Sequence, residues 1–180
     1  MNQELIKRIL SSIILIPITL FFIIKGSFLF VFFILVCLGL IIYEWHMMSK
    51  KKPYNVFGFI FLFFSFYSIF KIRIDYDYWF LLFIITICIS TDIGGYVFGK
   101  LFKGPKLTKY SPSKTYSGMF GGYFLSLISF PLSSKYFEFD FSIEWLFFTF
   151  LVSSVSQLGD IIISYFKRLS KIKDTGKIIP

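Results

Sequence analysis

Polar side chains recur at helical spacing through the apolar C-terminal part of the chain. They comprise one carboxylate, two lysines and three uncharged polar residues: Ser153, Gln157, Asp160, Ser164, Lys167 and Lys171. Residues three or four positions apart lie on one face of a helix, so the spacing predicts a polar stripe. A carboxylate that faces lipid costs roughly a few kcal/mol. We therefore expect this stripe to line a hydrated cavity bounded by protein.

A second carboxylate, Asp92, lies at a matching position in an earlier apolar segment. It precedes Lys100 by eight residues, and Asp160 precedes Lys167 by seven. At the rise of a helix, each carboxylate lies roughly 10–12 Å from the basic end of its segment. Two such carboxylates could bind a divalent cation and the polyphosphate that it carries. The alternative is that each one only hydrogen-bonds to a neighbouring helix.

The connection that follows Asp92 combines lysines with small and hydroxyl-bearing residues. Its lysines are Lys103, Lys106, Lys109 and Lys114, and they alternate with Gly104, Pro105, Ser111, Pro112, Ser113 and Thr115. Lysines supply positive charge and hydroxyls supply directional donors, so the segment suits a phosphate-rich anion. A basic loop that only faces lipid headgroups is the alternative.

The elements that must position these residues are membrane helices. The chain is 56% hydrophobic and contains 27 Phe in 180 residues, which excludes a soluble globular domain. We predict an all-α, polytopic transmembrane helix bundle of about six spans. Their predicted bounds are Ile9–Ile24, Ser27–Tyr43, Asn55–Phe70, Tyr78–Phe98, Gly118–Leu132 and Ile143–Phe166. No small-residue cleavage site follows the first apolar run, which favours a retained helix over a signal peptide.

The distribution of positive charge predicts the orientation of these spans. Lys and Arg number two before span one, three after span two, five after span four and five after span six. The alternate loops hold only four, beside several carboxylates. The bias predicts that both termini are cytoplasmic. Because the charge belongs to one membrane face, we expect no nucleic-acid groove.

Two motifs resemble those of the phosphatidate cytidylyltransferases, also called CDP-diacylglycerol synthases. The first is Ser90-Thr-Asp-x-Gly-Gly-Tyr-x-x-Gly-Lys100, followed by Lys106, Ser111-Pro-Ser-Lys-Thr115 and Gly118. The second is Ser164-x-x-Lys-Arg-x-x-x-x-Lys-Asp-x-Gly-x-x-Ile-Pro180, which is similar to the opening of that family's C-terminal signature. The matched regions cover roughly a third of the chain, since the earlier spans match only in hydrophobic character.

The resemblance implies a reaction in the inner, cytoplasmic membrane. The phosphate of phosphatidic acid attacks the α-phosphorus of CTP, which forms CDP-diacylglycerol and releases pyrophosphate. Such a displacement needs charge neutralisation and in-line positioning more than covalent help.

The resemblance also implies roles for particular residues. Asp160 would be a Mg²⁺ ligand, and Asp92 a carboxylate of the substrate site. Lys167, Arg168 and Lys173 would clamp phosphates, and Asp174 would orient a basic partner or the metal. The remaining substrate-binding residues would be Lys106, Ser111, Lys114, Thr115 and Ser164.

The chain departs from the family pattern in two places. Lys-Thr-Trp-Glu-Gly of the family reads Lys114-Thr-Tyr-Ser-Gly118 here, so Ser117 replaces an acidic residue. The family signature also continues beyond Pro180 into His-Gly-Gly and Asp-Arg-x-Asp. We expect a single membrane domain over 1–180, with N-terminal spans in 1–77 and a motif-bearing half in 78–180. We further expect this truncated form to bind CTP and phosphatidic acid with little or no turnover by itself.

Two other functions remain open from the sequence alone. A small cation-coupled transporter could use Asp92 and Asp160 along its path, but its polar positions should span the whole membrane depth. A CTP-dependent lipid kinase would use the same donor at a different phosphorus. The sequence also leaves open whether the protein forms a homodimer.

Overall fold

The computed structural model describes residues 3–50, 52–137 and 142–172, and the chain is all-α within them. Six helices follow one another, and their bounds are α1 (Gln3–Lys25), α2 (Ser27–Ser49), α3 (Asn55–Asp75), α4 (Tyr78–Phe102), α5 (Tyr116–Phe137) and α6 (Ile143–Leu169). One isolated antiparallel bridge, between Lys106 and Thr115, lies in the α4–α5 connection. The predicted fold class is confirmed.

Each predicted span lies within one helix, and the helices continue past the apolar runs. The predicted first residue is the observed one for α2, α3, α4 and α6. Every helix extends beyond the predicted last residue, however, and α2 continues from Tyr43 to Ser49. A helix continues as long as its backbone is hydrogen-bonded, whereas an apolar run ends where the side chains leave the lipid.

Among the described residues, α2, α3, α4 and α6 are long and apolar enough to cross a membrane. A shorter apolar stretch, Ser11–Lys25, forms most of α1. Large apolar side chains are exposed along these helices, including Phe28, Phe57 and Phe147. Such surfaces are those of a membrane protein, because lipid covers them.

The described chain divides into two compact units. The first contains the residues up to Tyr78 together with the segment from Ser170, and the second is Trp79–Leu169. In the first unit, Gly26 turns the chain between α1 and α2 at a φ of 64°. Arg73 donates from Nε to the Ile23 carbonyl (3.0 Å), which ties the end of α3 to the end of α1.

The core of the second unit is aromatic and holds α4, α5 and α6 together. Phe83 and Ile87 of α4 and Phe130 of α5 are fully buried. Phe83 lies 6.0 Å from Phe130 and 5.9 Å from Trp145 of α6, measured between ring centroids. Edge-to-face and tilted ring pairs of this kind stabilise the packing beyond the area that they bury. In α4 and α6 the core adjoins polar residues, since Ile87 lies one turn before Thr91 and Val152 directly precedes Ser153.

Candidate functional site

The backbones of α4 and α5 are in contact beside the polar segment of α4, because glycines face each other there. A Cβ atom at Gly94 would meet the Gly121 carbonyl oxygen, and one at Gly118 would meet the Gly95 carbonyl oxygen. At Gly122, a Cβ atom would lie 3.1 Å from the Thr91 carbonyl oxygen. Only glycine permits this approach. It brings the residues after Thr91 next to the first turns of α5.

The connection between α4 and α5 folds back onto itself. The Leu107 N–H donates to the Lys114 carbonyl (2.8 Å), and the Tyr116 N–H donates to the Pro105 carbonyl (3.1 Å). Thr115 then caps α5, because its Oγ1 accepts from the Gly118 N–H (3.1 Å). These bonds place Ser113, Lys114 and Thr115 at the mouth of the α4–α5 contact.

A cavity of about 310 Å³ lies between α4, this connection, the start of α5 and α6. Its volume is at the lower end of the range for small-molecule sites. It is lined by Thr91, Asp92, Gly95 and Tyr96 of α4, by Leu107, Ser113, Lys114 and Thr115 of the connection, by Gly118 and Met119 of α5, and by Gln157, Asp160 and Ile161 of α6. All of these residues belong to the second unit.

Both intramembrane carboxylates line this cavity, which is the arrangement that their matched depth predicts. The Lys114 ammonium forms an ion pair with the Asp160 carboxylate. The side chains of Lys114 and Asp160 are 38% and 51% exposed, so this pair is accessible from the cavity and contributes little to stability. Asp92 also lines the cavity, and its side chain is exposed.

Hydrogen bonds join α4, α5 and α6 to one another beside the two carboxylates. The Thr91 hydroxyl shares a hydrogen bond of 2.9 Å with Ser153, and both side chains are buried. Gln157 donates from Nε2 to the Met119 carbonyl (3.4 Å), which joins α6 to α5. Buried hydroxyls that are satisfied in this way set the register of α4 against α6.

Several residues that the resemblance implicated lie outside the cavity lining. The Lys106 side chain is exposed, and Ser111 is buried in a turn, where its carbonyl accepts from the Lys114 N–H (3.0 Å). Ser164 donates to the Asp160 carbonyl (2.7 Å), and Lys167 is half-buried without reaching the lining. Lys173 and Asp174 lie outside the described residues.

Two basic residues lie near the C-terminal end of α6, Arg168 within the helix and Lys171 after it. Arg168 donates from Nε to the Tyr110 carbonyl (3.2 Å) and is absent from the cavity lining. The polar stripe was predicted to include Lys171, and this part of the prediction is wrong. The helix ends at Leu169, and Lys171 follows it in a left-handed conformation with φ 58°. Because Lys171 lies outside the helix, its spacing from Lys167 does not place it on the same face.

The sequence interpretation also missed part of the lining. Tyr96 lies one helical turn after Asp92 on the same face of α4, and its side chain is exposed to the cavity. The four-residue spacing from Asp92 was the available signal. Leu107 and Met119 carried no signal, because an apolar residue in an apolar chain does not stand out.

Within the described ranges, no group of three or more His, Cys, Asp or Glu side chains could hold a metal ion. The carboxylates that line the cavity, and that could bind a cation together with water or a ligand, are Asp92 and Asp160.

The model of the cytidylyltransferase family matches residues 54–180. The chain belongs to the cytidylyltransferase family. All cavity-lining residues of this family member lie within the matched range.

Named relatives agree with this membership. The phosphatidate cytidylyltransferase of Rickettsia felis is 34% identical over 192 residues, covering 99% of this chain and 83% of the relative. The phosphatidate cytidylyltransferase of Rickettsia conorii is 35% identical over 194 residues, covering 99% of this chain and 82% of the relative. That of Staphylococcus aureus is 45% identical over 94 residues, covering 50% of this chain and 35% of the relative. No solved structure gives a significant match.

Proposed function

We propose that this protein transfers the cytidylyl group of CTP to phosphatidic acid. One observation carries the proposal beyond the names of the relatives. Two carboxylates from α4 and α6, together with a lysine and two hydroxyls from the α4–α5 connection, line a single cavity inside the region that matches the family. A phosphate oxygen of phosphatidic acid forms a bond to the α-phosphorus of CTP. The bond between that phosphorus and the α–β bridging oxygen breaks, and pyrophosphate leaves with its electron pair.

Lys114, Ser113 and Thr115 would bind the phosphate oxygens in this reaction. A lysine supplies a mobile point charge, and hydroxyls supply directional donors. Lys114 pairs with Asp160 in the structure, and its accessible position allows it to exchange this carboxylate for a phosphate. Holding the phosphates in line would supply much of the rate enhancement, because this chemistry needs little covalent help.

Asp160 and Asp92 would hold Mg²⁺ in the loaded site. Mg²⁺ is usually bound through one or two carboxylates together with water and substrate phosphates, and the two cavity carboxylates fit this pattern. When bound, the ion would neutralise charge that develops on the pyrophosphate leaving group.

We place the protein in the inner, cytoplasmic membrane with both termini in the cytoplasm. The support is the excess of Lys and Arg in alternate connections, which include the α4–α5 connection that lines the cavity. This orientation gives cytoplasmic CTP access to Lys114 and places the site within reach of a membrane phospholipid.

The position of a radioactive label separates this function from its alternatives. The 180-residue chain, and a fusion that continues it with the C-terminal segment of the Rickettsia felis relative, are incubated with Mg²⁺ and phosphatidic acid vesicles. Two reactions use CTP labelled at either the α- or the γ-phosphorus. We expect lipid-soluble label from the α-labelled nucleotide only. Label from γ-labelled CTP would show a lipid kinase, and no lipid label with either form would contradict both enzyme assignments.

A further inference from the structure

Helix α6 contacts the α4–α5 connection at two places that are two helical turns apart. At the first, Asp160 pairs with Lys114. At the second, Arg168 donates to the Tyr110 carbonyl (3.2 Å), and the rings of Tyr165 and Tyr110 meet edge to face with centroids 4.8 Å apart. Eight residues of helix separate Asp160 from Arg168, a rise of about 12 Å. The segment from Tyr110 to Lys114 is thus held on α6 at both ends.

The second contact lies outside the cavity and is linked through a short turn to residues that line it. Tyr110 directly precedes Ser111, and the turn from Ser111 to Lys114 is closed by the Lys114 N–H donating to the Ser111 carbonyl (3.0 Å). The bridge between Lys106 and Thr115 closes the base of the connection, and Tyr110 lies between these two residues in the chain. A displacement of Tyr110 would therefore move Ser113 and Lys114 relative to Asp160.

The chemistry of this contact suits positioning. The Arg168 acceptor is a main-chain carbonyl, so the bond fixes the path of the backbone. A planar guanidinium directs its Nε–H, whereas a lysine ammonium on a flexible stem does not reproduce that direction. The Tyr165 contact depends on the ring, since edge-to-face geometry requires an aromatic side chain.

We propose that Tyr165 and Arg168 are positioning residues that hold the phosphate-binding segment, Ser111–Thr115, against α6 and thereby set the affinity for CTP. This inference rests on the proposed function, and it gives Arg168 a different role from the phosphate clamp that the resemblance implies. Small displacements of binding groups reduce the affinity for a ligand that needs several of them at once. Loss of the contact should therefore raise the KM for CTP more than it lowers kcat.

The test compares Tyr165→Ala, Tyr165→Phe and Arg168→Lys with the unchanged protein. Phe147→Ala is the control, because it removes an exposed aromatic ring from the same helix far from the connection. Trypsin cleavage after Lys106 or Lys109 in detergent reports the docking of the connection without any need for turnover. The KM for CTP and kcat are measured in the 180-residue chain or in its fusion with the C-terminal segment of the relative, whichever forms CDP-diacylglycerol.

We expect Tyr165→Ala and Arg168→Lys to increase the cleavage rate and to raise the KM for CTP about tenfold, with kcat changed less than about threefold. Tyr165→Phe and Phe147→Ala should behave like the unchanged protein. Unchanged cleavage and KM in Tyr165→Ala would overturn the proposal. So would an Arg168→Lys protein that loses kcat while its connection stays protected, because Arg168 would then act on the substrate. If no form transfers cytidylyl groups, the proposed function fails, and the cleavage rates still decide whether Tyr165 and Arg168 hold the connection.

Discussion

At the scale of single residues, Lys114 links the connection between α4 and α5 to the polar face of α6. It lies in the connection after α4, and its ammonium reaches the Asp160 carboxylate on α6. In the proposed function, the lysine would leave this carboxylate to bind the triphosphate. Asp160 would then be available to a cation. In the proposed reaction both groups would act on the same triphosphate, Lys114 directly and Asp160 through the bound ion.

This interpretation predicts that Lys114 and Asp160 act as a unit. We expect Lys114→Met and Asp160→Asn each to lower kcat/KM at least about 100-fold, equivalent to about 2.7 kcal/mol. The double variant should lose little more than the worse single variant, because residues that act together are not additive. The measurement is a double-mutant cycle on CDP-diacylglycerol formation.

The exposed pair of Lys71 and Asp75 provides the matched control for this cycle. These residues form an ion pair of 2.9 Å within α3 and are exposed to a similar degree. Lys71→Met and Asp75→Asn should leave kcat/KM within about twofold, as expected for a surface pair. If the double variant lost kcat/KM by the product of the two single-variant factors, Lys114 and Asp160 would act independently. That result would contradict their joint role.

Part of the site could be predicted because charged residues are rare in apolar membrane helices and can be recognised in the sequence. A carboxylate in an apolar helix is costly, so Asp92 and Asp160 stood out and their meeting in one cavity followed from equal depth. The partner of Arg168 could not be predicted, because it is a main-chain carbonyl that every residue carries. The burial of Ser111 likewise depends on a turn whose direction the sequence pattern does not specify.

At the scale of elements, the site depends on how closely α4 and α5 approach. The facing glycines allow backbone contact, and this contact places Thr91 and Asp92 beside Gly118 and Met119. The sequence showed the glycines but not their partners, since spacing within one helix says nothing about the register of the next. The helix ends were also predicted too early, because the apolar runs stop before the backbone hydrogen bonding does.

This approach predicts a strong effect of a single added methyl group. In Gly94→Ala, the new Cβ would meet the Gly121 carbonyl oxygen, which cannot move without separating the helices. We expect a loss of about 1–3 kcal/mol in the free energy of unfolding, typical of overpacking. The loss can be measured by denaturant titration in mixed micelles.

Gly159→Ala is the matched control for Gly94→Ala. It adds the same methyl group to α6, where nothing lies within 4 Å of the new atom. Alanine favours a helix over glycine by about 1 kcal/mol, so this variant should be as stable as the unchanged protein or slightly more stable. Equal stability of Gly94→Ala and Gly159→Ala would show that the α4–α5 contact does not constrain the protein.

At the scale of the whole molecule, the charge bias predicts the orientation in the membrane. In a background with Cys37 and Cys88 replaced by Ala, single cysteines are introduced by Asp77→Cys and Lys109→Cys. We expect a membrane-impermeant thiol reagent to label position 77 in intact cells and position 109 only after the cytoplasmic side is exposed. Labelling of position 109 in intact cells would reverse the orientation and place the cavity mouth away from cytoplasmic CTP.

The central claim is that the cavity between α4, the connection and α6 is where the cytidylyl group is transferred. The most direct test measures lipid label from α-labelled CTP for Asp92→Asn and Asp160→Asn, with Asp77→Asn as a carboxylate control outside the cavity. Each substitution removes one charge and changes the side-chain volume little. We predict that both cavity variants lose at least about 99% of the rate, equivalent to about 2.7 kcal/mol or more, while Asp77→Asn retains it. Retention of activity by both cavity variants would contradict the account.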